Sequence, residues 1–342
     1  MTTSVVTAYA ADILSQPDCL RRVDMPAIGK SLASISPCFG RFGKIVLTGM
    51  GASHAALRPL WMGLVGKGYP AWRVETSELL GSMLPLLDSS TLVIMASQSG
   101  RSAEIVDLVE EAARRQCVVV AITNDPASPL AAGARAVVDI KAGIENAVST
   151  KTYLNTLAAG IAIRRALLDE PFDDTLPRAA DDLEAYLERM QYRIKVMKDS
   201  IGLPDRLFYL ARGASMAAAE YGALIMKEAA KWPVEAQTSA QFRHGPLELA
   251  DERLTAVILT GGADRERQLN HALATDLGRY GAKVFRLDQG PTEPALRMPD
   301  ILGEARSLAE ALPLQLLTIA IAEQTGTEPG VFRHLSKVTT VQ

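Results

Sequence analysis

Three serines and a glycine lie within residues 97–102, and this combination could bind a phosphate. The segment follows an apolar run and precedes apolar residues at helical spacing, which predicts a strand, a tight turn and a helix. The first N–H groups of a helix are unpaired and carry the positive end of its dipole, so they favour an anion. A single serine here would indicate an ordinary helix cap. The whole set, with Gly100 at the turn, instead favours a phosphate site. The three serines are Ser97, Ser99 and Ser102.

A glutamate and a histidine in the second half of the chain could transfer protons. Glu228 lies at the end of a predicted helix, where the helix dipole disfavours a carboxylate, so its position brings no evident structural benefit. His244 precedes Gly245-Pro246, and a histidine titrates near neutral pH. Glu235 is grouped with them, because no predicted helix or strand requires it. A glutamate and a histidine together can move a proton between adjacent carbons and open a sugar ring. A surface glutamate and a histidine that caps a loop are the alternative.

Short apolar strands alternate with helices through the first half of the chain. The predicted strands are residues 44–47, 71–74, 92–96, 118–122 and 136–140. This alternation predicts an α/β, flavodoxin-like fold with a doubly wound parallel sheet, whose ligands lie at the carboxyl ends of the strands. Ser53 follows the first strand in a glycine-rich turn, and the serine loop (residues 97–102) follows the third. Both are therefore expected at the ligand-binding edge of the sheet.

A second group of hydroxyl residues precedes a strongly apolar helix that is predicted to end near Leu168. Val148 and Ser149 lead into Thr150 and Lys151 at the start of this helix. Serine and threonine are good helix caps, which is one interpretation of the segment. The other is that the helix start faces the same ligand as the serine loop, and the residues alone do not decide between them.

The order of strands, turns and helices restarts near Arg206. A strand at residues 207–210, a glycine turn and a helix at residues 216–230 repeat the order that begins at residue 44. A strand at residues 254–259 is followed by Thr260-Gly261-Gly262, where the first half has its serine loop. The remaining predicted elements are a strand at residues 282–287 and a helix at residues 312–325. The second half is thus an internal repeat of the first that has lost the serines.

The predicted organisation is two tandem α/β domains with flanking segments. Residues 1–42 are a helical arm, residues 43–170 the phosphate-binding domain, and residues 171–200 a linker followed by one long helix at residues 178–200. Residues 201–330 are the second domain, which carries Glu228 and His244, and residues 331–342 are a C-terminal tail.

Composition excludes several classes of function. The chain has 342 residues and a formal net charge of −3, so it offers no basic face for nucleic acid. We find no apolar run near the roughly 20 residues that a membrane span needs. Cys19, Cys38 and Cys117 lack the spacing of a metal site, and the N-terminus lacks the pattern of a signal peptide. We therefore expect a soluble cytoplasmic protein without disulfides and without a cysteine-based metal site.

Four segments, in this order, resemble the SIS (sugar isomerase) family: residues 97–102, 149–151, 227–228 and 242–246. The resemblance covers residues 43–342. The pattern is similar to that of the isomerase half of glutamine–fructose-6-phosphate aminotransferase, and to stand-alone deaminases and deglycases of amino-sugar phosphates. The resemblance implies that Ser97, Gln98, Ser99 and Ser102 bind the phosphate of a sugar phosphate, and that Ser53, Val148 and Ser149 contact the sugar.

The resemblance also implies the catalytic roles. Glu228 would move a proton between two carbons, and His244 would open the sugar ring from the neighbouring subunit of a homodimer. Lys337, in the C-terminal tail that closes over the site, would form an imine with the open-chain ketose. The family's aminotransferases have a lysine three residues before the glutamate, where this chain has Ile225. The chain begins Met-Thr-Thr without an N-terminal cysteine nucleophile, so no glutaminase activity is expected.

Two functions from different classes fit these residues. The first is a phosphosugar isomerase that acts on an amino-sugar or fructosamine 6-phosphate and releases ammonia or an amino acid. It needs no metal or redox cofactor, because Glu228 and His244 can move the protons. The second is a non-catalytic phosphosugar sensor or regulatory protein, which Ile225 in place of lysine allows. The presence of both Glu228 and His244 favours the enzyme.

Overall fold

The computed structural model describes residues 7–290 and 296–334, which form two compact α/β units. The N-terminal unit comprises Asp18–Ile144 and Lys151–Pro177. The C-terminal unit comprises residues 7–17, Glu145–Thr150 and Arg178–Arg333. A short loop before residue 151 thus belongs by its contacts to the unit that contains the second half of the chain.

The chain begins with short helices, in agreement with its periodicity. They are α1 (Ala8–Leu14), α2 (Gln16–Arg21) and α3 (Met25–Ser31), followed by a 3-10 turn at Ser36–Arg41. Thr7 caps α1 and Asp24 caps α3, each through a side-chain oxygen that accepts from a backbone N–H. These caps satisfy amides that have no partner within the helix.

The N-terminal unit contains a parallel sheet of five strands in the order β2-β1-β3-β4-β5. The strands are β1 (Lys44–Gly49), β2 (Ala71–Glu75), β3 (Thr91–Ala96), β4 (Val118–Thr123) and β5 (Ala136–Asp139). All five predicted strands are confirmed. Apolar residues of β1, β3 and β4 pack against the buried face of a helix, which supplies Ile105 and Leu108. This packing fixes the serine loop at both of its ends.

The helices of the N-terminal unit connect the strands. They are α4 (Gly51–Ala56), α5 (Arg58–Gly66), α6 (Thr76–Ser82), α7 (Ala103–Arg114), α8 (Pro129–Ala132) and α9 (Lys151–Leu167). Two helices, and not one, connect β1 to β2, because α4 ends at Ala56 and α5 begins at Arg58. Pro59 lies in the first turn of α5, where its missing N–H costs nothing.

The C-terminal unit contains a parallel sheet of four strands in the order β7-β6-β8-β9. The strands are β6 (Arg206–Ala211), β7 (Glu235–Thr238), β8 (Leu254–Leu259) and β9 (Lys283–Leu287). This order repeats β2-β1-β3-β4, which confirms the internal repeat, although the described part of this unit has no counterpart of β5. Grouping Glu235 with the residues that no scaffold element needs was wrong, because Glu235 begins the edge strand β7.

The helices of the C-terminal unit differ from the prediction in two places. They are α10 (Thr175–Leu187), α11 (Met190–Ile201), α12 (Met216–Ile225), α13 (Ser239–Phe242), α14 (Asp264–Arg279) and α15 (Arg306–Gln324), with a π-helical turn at Met226–Ala230. The long helix predicted at residues 178–200 is two helices, which are separated at Glu188 and Arg189. The last helix begins six residues before the predicted start, at Arg306.

One apolar helix meets the length and hydropathy of a membrane span, contrary to the expectation from the sequence. It covers Gly303–Gln324, and its mean hydropathy reaches 1.2. The 18-residue window with this hydropathy is entirely buried inside the protein. Core helices have the same composition when packing surrounds them on every side.

A buried chain of hydrogen bonds joins distant segments of the C-terminal unit. The side-chain amides of Gln16 and Gln315 bond to each other, with Gln16 Nε2 2.8 Å from Gln315 Oε1. Gln315 Nε2 donates to the hydroxyl of Tyr221 at 2.8 Å, and this hydroxyl donates to the carbonyl oxygen of Ser149 at 2.7 Å. Through these bonds α12 and α15 hold the loop Glu145–Thr150.

Replacing Tyr221 with phenylalanine removes both bonds of the hydroxyl and changes little else. We expect Tyr221→Phe to lower the free energy of unfolding by about 1–3 kcal/mol, because each buried hydrogen bond contributes roughly 1 kcal/mol net. Urea titration measures the change. Tyr280→Phe is the matched control, because Tyr280 is 54% exposed. Equal stability of Tyr221→Phe and Tyr280→Phe would contradict the role of the Tyr221 hydroxyl.

Candidate active site

The serine loop joins β3 to α7 and is shaped by its own hydroxyls. Ser97 is 8% exposed, and its Oγ accepts from the N–H of Gly100 at 3.1 Å. Ser99 Oγ accepts from the N–H of Arg101 at 3.2 Å. Ser102 begins α7 with φ −62° and ψ 146°, but its side chain does not cap the helix. The hydroxyls of Ser97 and Ser99 therefore accept hydrogen bonds from amides within the loop. The hydroxyl of Ser102 does not cap α7.

Gly100 is required by the turn. Its φ is +59°, and a Cβ at this position would overlap the side chain of Ser128, lying 2.6 Å from Ser128 Cβ. The carbonyl oxygen of Gln98 accepts from the N–H of Asn124 at 3.0 Å, which ties the loop to the end of β4. The backbone of the loop thus adopts a conformation at position 100 that only glycine allows.

The side chain of Arg101 is directed out of the serine loop and towards the loop that follows β4. Its guanidinium binds the carboxylate of Asp125, with Nη2 2.7 Å from Oδ2, and donates to the carbonyl oxygen of Ala127 at 3.3 Å. The hydrogen bond from Arg101 lowers the pKa of Asp125. The arginine in the serine loop therefore holds the neighbouring loop in place, and the amides and hydroxyls remain the candidate groups for an anion.

Ser53 lies at the same edge of the N-terminal sheet as the serine loop. The strands that precede the two turns pair in register, with Gly49 opposite Ala96. Ser53 is half-buried in α4, and its N–H donates to the carbonyl oxygen of Met50 at 3.1 Å. The structure therefore brings Ser53 and the serine loop together, as parallel strands require.

The loop Glu145–Thr150 groups with the C-terminal unit and not with the serine loop. The carboxylate of Glu145 accepts from the N–H of Thr150 at 2.8 Å and from its hydroxyl at 3.1 Å. Asp12 Oδ2 accepts from the N–H of Asn146 at 2.9 Å. Val148 is 1% exposed, so its side chain is a core residue. Two buried carboxylates that shape this loop were not singled out from the sequence.

Glu228 lies in the π turn (Met226–Ala230) that extends α12. A π turn adds one residue to a helical turn and is frequent at functional sites. Glu228 is half-buried, whereas Ile225 is fully buried. Ile225, which stands where the family's aminotransferases have a lysine, is thus a core residue. The carboxylate of Glu228 lies at the edge of that core.

His244 lies on an exposed turn between α13 and a 3-10 turn at Pro246–Leu249. Its N–H donates to the carbonyl oxygen of Gln241 at 2.9 Å. His244 is thus exposed to solvent on this turn, whereas Glu228 is half-buried at the end of α12.

Lys337 falls outside the described residues, so its predicted role stays a prediction. Groups of three or more histidine, cysteine, aspartate or glutamate side chains suited to a metal ion do not occur in residues 7–290 and 296–334.

The counterpart of the serine loop in the C-terminal unit is filled by a carboxylate. Glu266, in the first turn of α14, accepts from the N–H of Ala263 at 3.4 Å. A Cβ at Gly213 would lie 2.9 Å from Glu266 Cδ, and a Cβ at Gly261 would lie 2.9 Å from Glu266 Oε2. The carboxylate thus lies against the turns that follow β6 and β8. It occupies the place in this unit that corresponds to the serine loop of the N-terminal unit.

Comparison with known proteins agrees with this architecture. The family model of the SIS domain matches residues 42–163 and 200–325, which is well over half of the chain. A glutamine–fructose-6-phosphate aminotransferase from Pyrococcus horikoshii is 28% identical over 347 residues, covering 97% of this chain and 57% of the relative. The chain spans about half the length of the curated relatives that it matches.

Two solved structures share the fold. Tagatose-6-phosphate ketose/aldose isomerase from Escherichia coli has a TM-score of 0.82 at 20% identity, covering 97% of each chain. Glucosamine-6-phosphate deaminase from Thermotoga maritima has a TM-score of 0.77 at 17% identity, covering 98% of this chain and 100% of the other. The duplicated parallel sheets, the serine loop and the match of the family model to both halves lead to one conclusion: the chain belongs to the SIS domain family.

Proposed function

We propose that this chain is a phosphosugar isomerase that acts on an amino-sugar or fructosamine 6-phosphate and releases the amine. The serine loop binds the phosphate through its three serine hydroxyls and Gln98, with Ser53 beside them. Glu228 transfers a proton between carbons 1 and 2 of the open-chain sugar. His244, from a second copy of the chain, assists ring opening, and this requires a homodimer.

The observation that carries this proposal is the π turn at Glu228. A carboxylate at the end of a helix is opposed by the helix dipole, and the surrounding turn departs from ordinary helical geometry to accommodate it. Both features cost stability and are expected at a functional residue. A sensor that only binds phosphate would need the serine loop and would have no use for this turn.

The proton balance follows from the position of the amine. With an amine on carbon 2 of an aldose, Glu228 removes the proton of carbon 2 and returns it to carbon 1, and water hydrolyses the resulting imine to a ketose and ammonia. With an amine on carbon 1 of a ketose, Glu228 moves the proton from carbon 1 to carbon 2, and hydrolysis gives an aldose and an amino acid. The glutamate ends each cycle ionised, and no redox partner is needed because one sugar carbon is oxidised as its neighbour is reduced.

Ile225 favours release of the amine over its transfer from glutamine. This residue is fully buried in α12, so the helix offers no amine three residues before Glu228. The similarity to curated aminotransferases is thus compatible with a reaction in this chain that releases an amine and does not take one from glutamine.

Glu228→Gln tests the proton transfer. We expect glutamine to lower kcat by about 10²- to 10⁴-fold, which is the usual contribution of a general acid–base group. Glucosamine 6-phosphate and fructosamine 6-phosphates are the substrates, and ammonia, amino acid and hexose phosphate are measured by mass spectrometry. Glu252→Gln, at an exposed position of the same unit, is the control. Equal rates in Glu228→Gln and wild type would exclude the mechanism, and binding without turnover by wild type would favour the sensor.

Ser102→Ala tests phosphate binding with little effect on the loop itself. The hydroxyl does not cap α7, so its loss should leave the melting temperature unchanged. A hydrogen bond to a charged group contributes about 1.5–3 kcal/mol, so we expect the Kd for fructose 6-phosphate to rise about 10- to 100-fold. Calorimetric titration measures it, with Ser82→Ala on an exposed helix end as control. An unchanged Kd would mean that Ser102 does not contact the phosphate.

A further inference from the structure

Lys231 ends the π turn in a conformation that lysine rarely adopts. Its φ is 57° and its ψ is 29°, the left-handed region in which glycine or asparagine usually ends a helix. In this region a Cβ comes too close to the following carbonyl oxygen, so the conformation is disfavoured for lysine. A lysine at this position therefore needs a compensating interaction through its side chain.

The ammonium of Lys231 supplies that interaction by joining two backbone segments. Lys231 Nζ donates to the carbonyl oxygen of Glu228, within the same turn. It also donates to the carbonyl oxygen of Val331 at 2.6 Å, although Val331 lies 100 residues further along the chain. Carbonyl groups at a helix end have no partner in the helix, and a lysine at that end can satisfy them.

A second contact holds the same segment against the turn. The N–H of Gly330 donates to the carbonyl oxygen of Ala229 at 3.4 Å. Gly330 has a φ of +86°, and a Cβ here would lie 2.8 Å from Tyr9 Cβ and 3.0 Å from Ala147 Cβ. The chain at Gly330 is thus enclosed by the π turn, by α1 and by the loop that contains Ser149.

The surroundings of Lys231 act in opposite directions on its ammonium. Burial, and then the nearby Arg333, lower its pKa overall, whereas the carboxylate of Glu228 raises it by less. The two carbonyl oxygens that accept from the ammonium are therefore what holds it in place.

We propose that Lys231 is a positioning residue: by joining the Glu228 carbonyl to the Val331 carbonyl, it fixes the turn that carries the Glu228 carboxylate. The inference rests on the proposed acid–base role of Glu228. It assigns Lys231 no contact with substrate, because its ammonium is directed at two backbone oxygens. Loss of the ammonium leaves the carboxylate of Glu228 chemically unchanged, but its backbone is no longer held in one orientation.

Two variants separate the donor from the rest of the side chain. Lys231→Met keeps the hydrocarbon chain and removes the donor, and Lys231→Arg keeps donors that can reach two carbonyls. We expect Lys231→Met to lower kcat by about 10- to 100-fold with KM changed by less than about 3-fold, because a small misplacement of a catalytic group costs this much. Lys231→Arg should recover most of the activity. Lys195→Met, which removes an exposed lysine, should match wild type.

Hydrogen–deuterium exchange gives a readout that does not need turnover. In Lys231→Met we expect faster exchange in the peptides that cover residues 226–232 and 328–334, with a melting temperature within a few degrees of wild type. If wild type turns over no substrate, the proposed function fails, and exchange alone decides whether Lys231 joins the two segments. Unchanged exchange in Lys231→Met would overturn the inference, as would an unchanged kcat. Borohydride reduction that attaches fructose 6-phosphate to Lys231 would also overturn it, because the lysine would then contact substrate.

Discussion

The hydroxyl of Tyr221 joins three segments of the C-terminal unit that are far apart in the chain. It bonds α12 to α15 through Gln315 and to the loop Glu145–Thr150 through the Ser149 carbonyl oxygen. Ser149 and Gln315 lie 72 and 94 positions from Tyr221 in the chain, so the two hydrogen bonds of this hydroxyl close two long loops. Closing them costs chain entropy, which buried apolar surface around Tyr221 must offset. The same helix then continues into the π turn, so one element orients both the Ser149 loop and Glu228.

The two units prepare different chemistry from one fold. In the N-terminal unit the turns after β1 and β3 present hydroxyls and amides, which suit an anion. In the C-terminal unit the corresponding turns are closed by Glu266, and the polar groups of interest come from the end of α12 instead. The same sheet order thus carries different residues at the ends of its strands in the two units.

The sequence predicted the regular elements well, because buried parallel strands are short apolar runs with glycine or serine turns between them. It missed β7, since this edge strand reads Glu-Ala-Gln-Thr and has no apolar alternation to reveal it. It also missed the break between α10 and α11 and the π turn, which depend on packing rather than on local preference. The contact between Lys231 and Val331 spans 100 residues, and no local pattern reports it.

The candidate site residues also divide into those that a local pattern reveals and those that depend on contacts between distant parts of the chain. The serine loop is a local motif, so its residues and its position at the strand end could be recognised directly. The shaping carboxylates of Asp12 and Glu145 could not, because their partners are amides in a loop whose fold depends on the rest of the C-terminal unit. His244 was found as a residue type, but its exposure to solvent follows only from the fold.

Under the proposed function, Glu266 makes the corresponding turns of the two units respond differently to ligand concentration. A tethered carboxylate has an effective concentration at its own loop in the millimolar range or above, so a diffusing phosphate ester gains little by competing with it. The carboxylate of Glu266 accepts from the N–H of Ala263 whether or not substrate is present. A phosphosugar bound at the serine loop would therefore stabilise that turn by mass action, while the corresponding turn of the C-terminal unit is held by the chain itself. One carboxylate thus leaves the duplicated fold with a single phosphate-dependent turn.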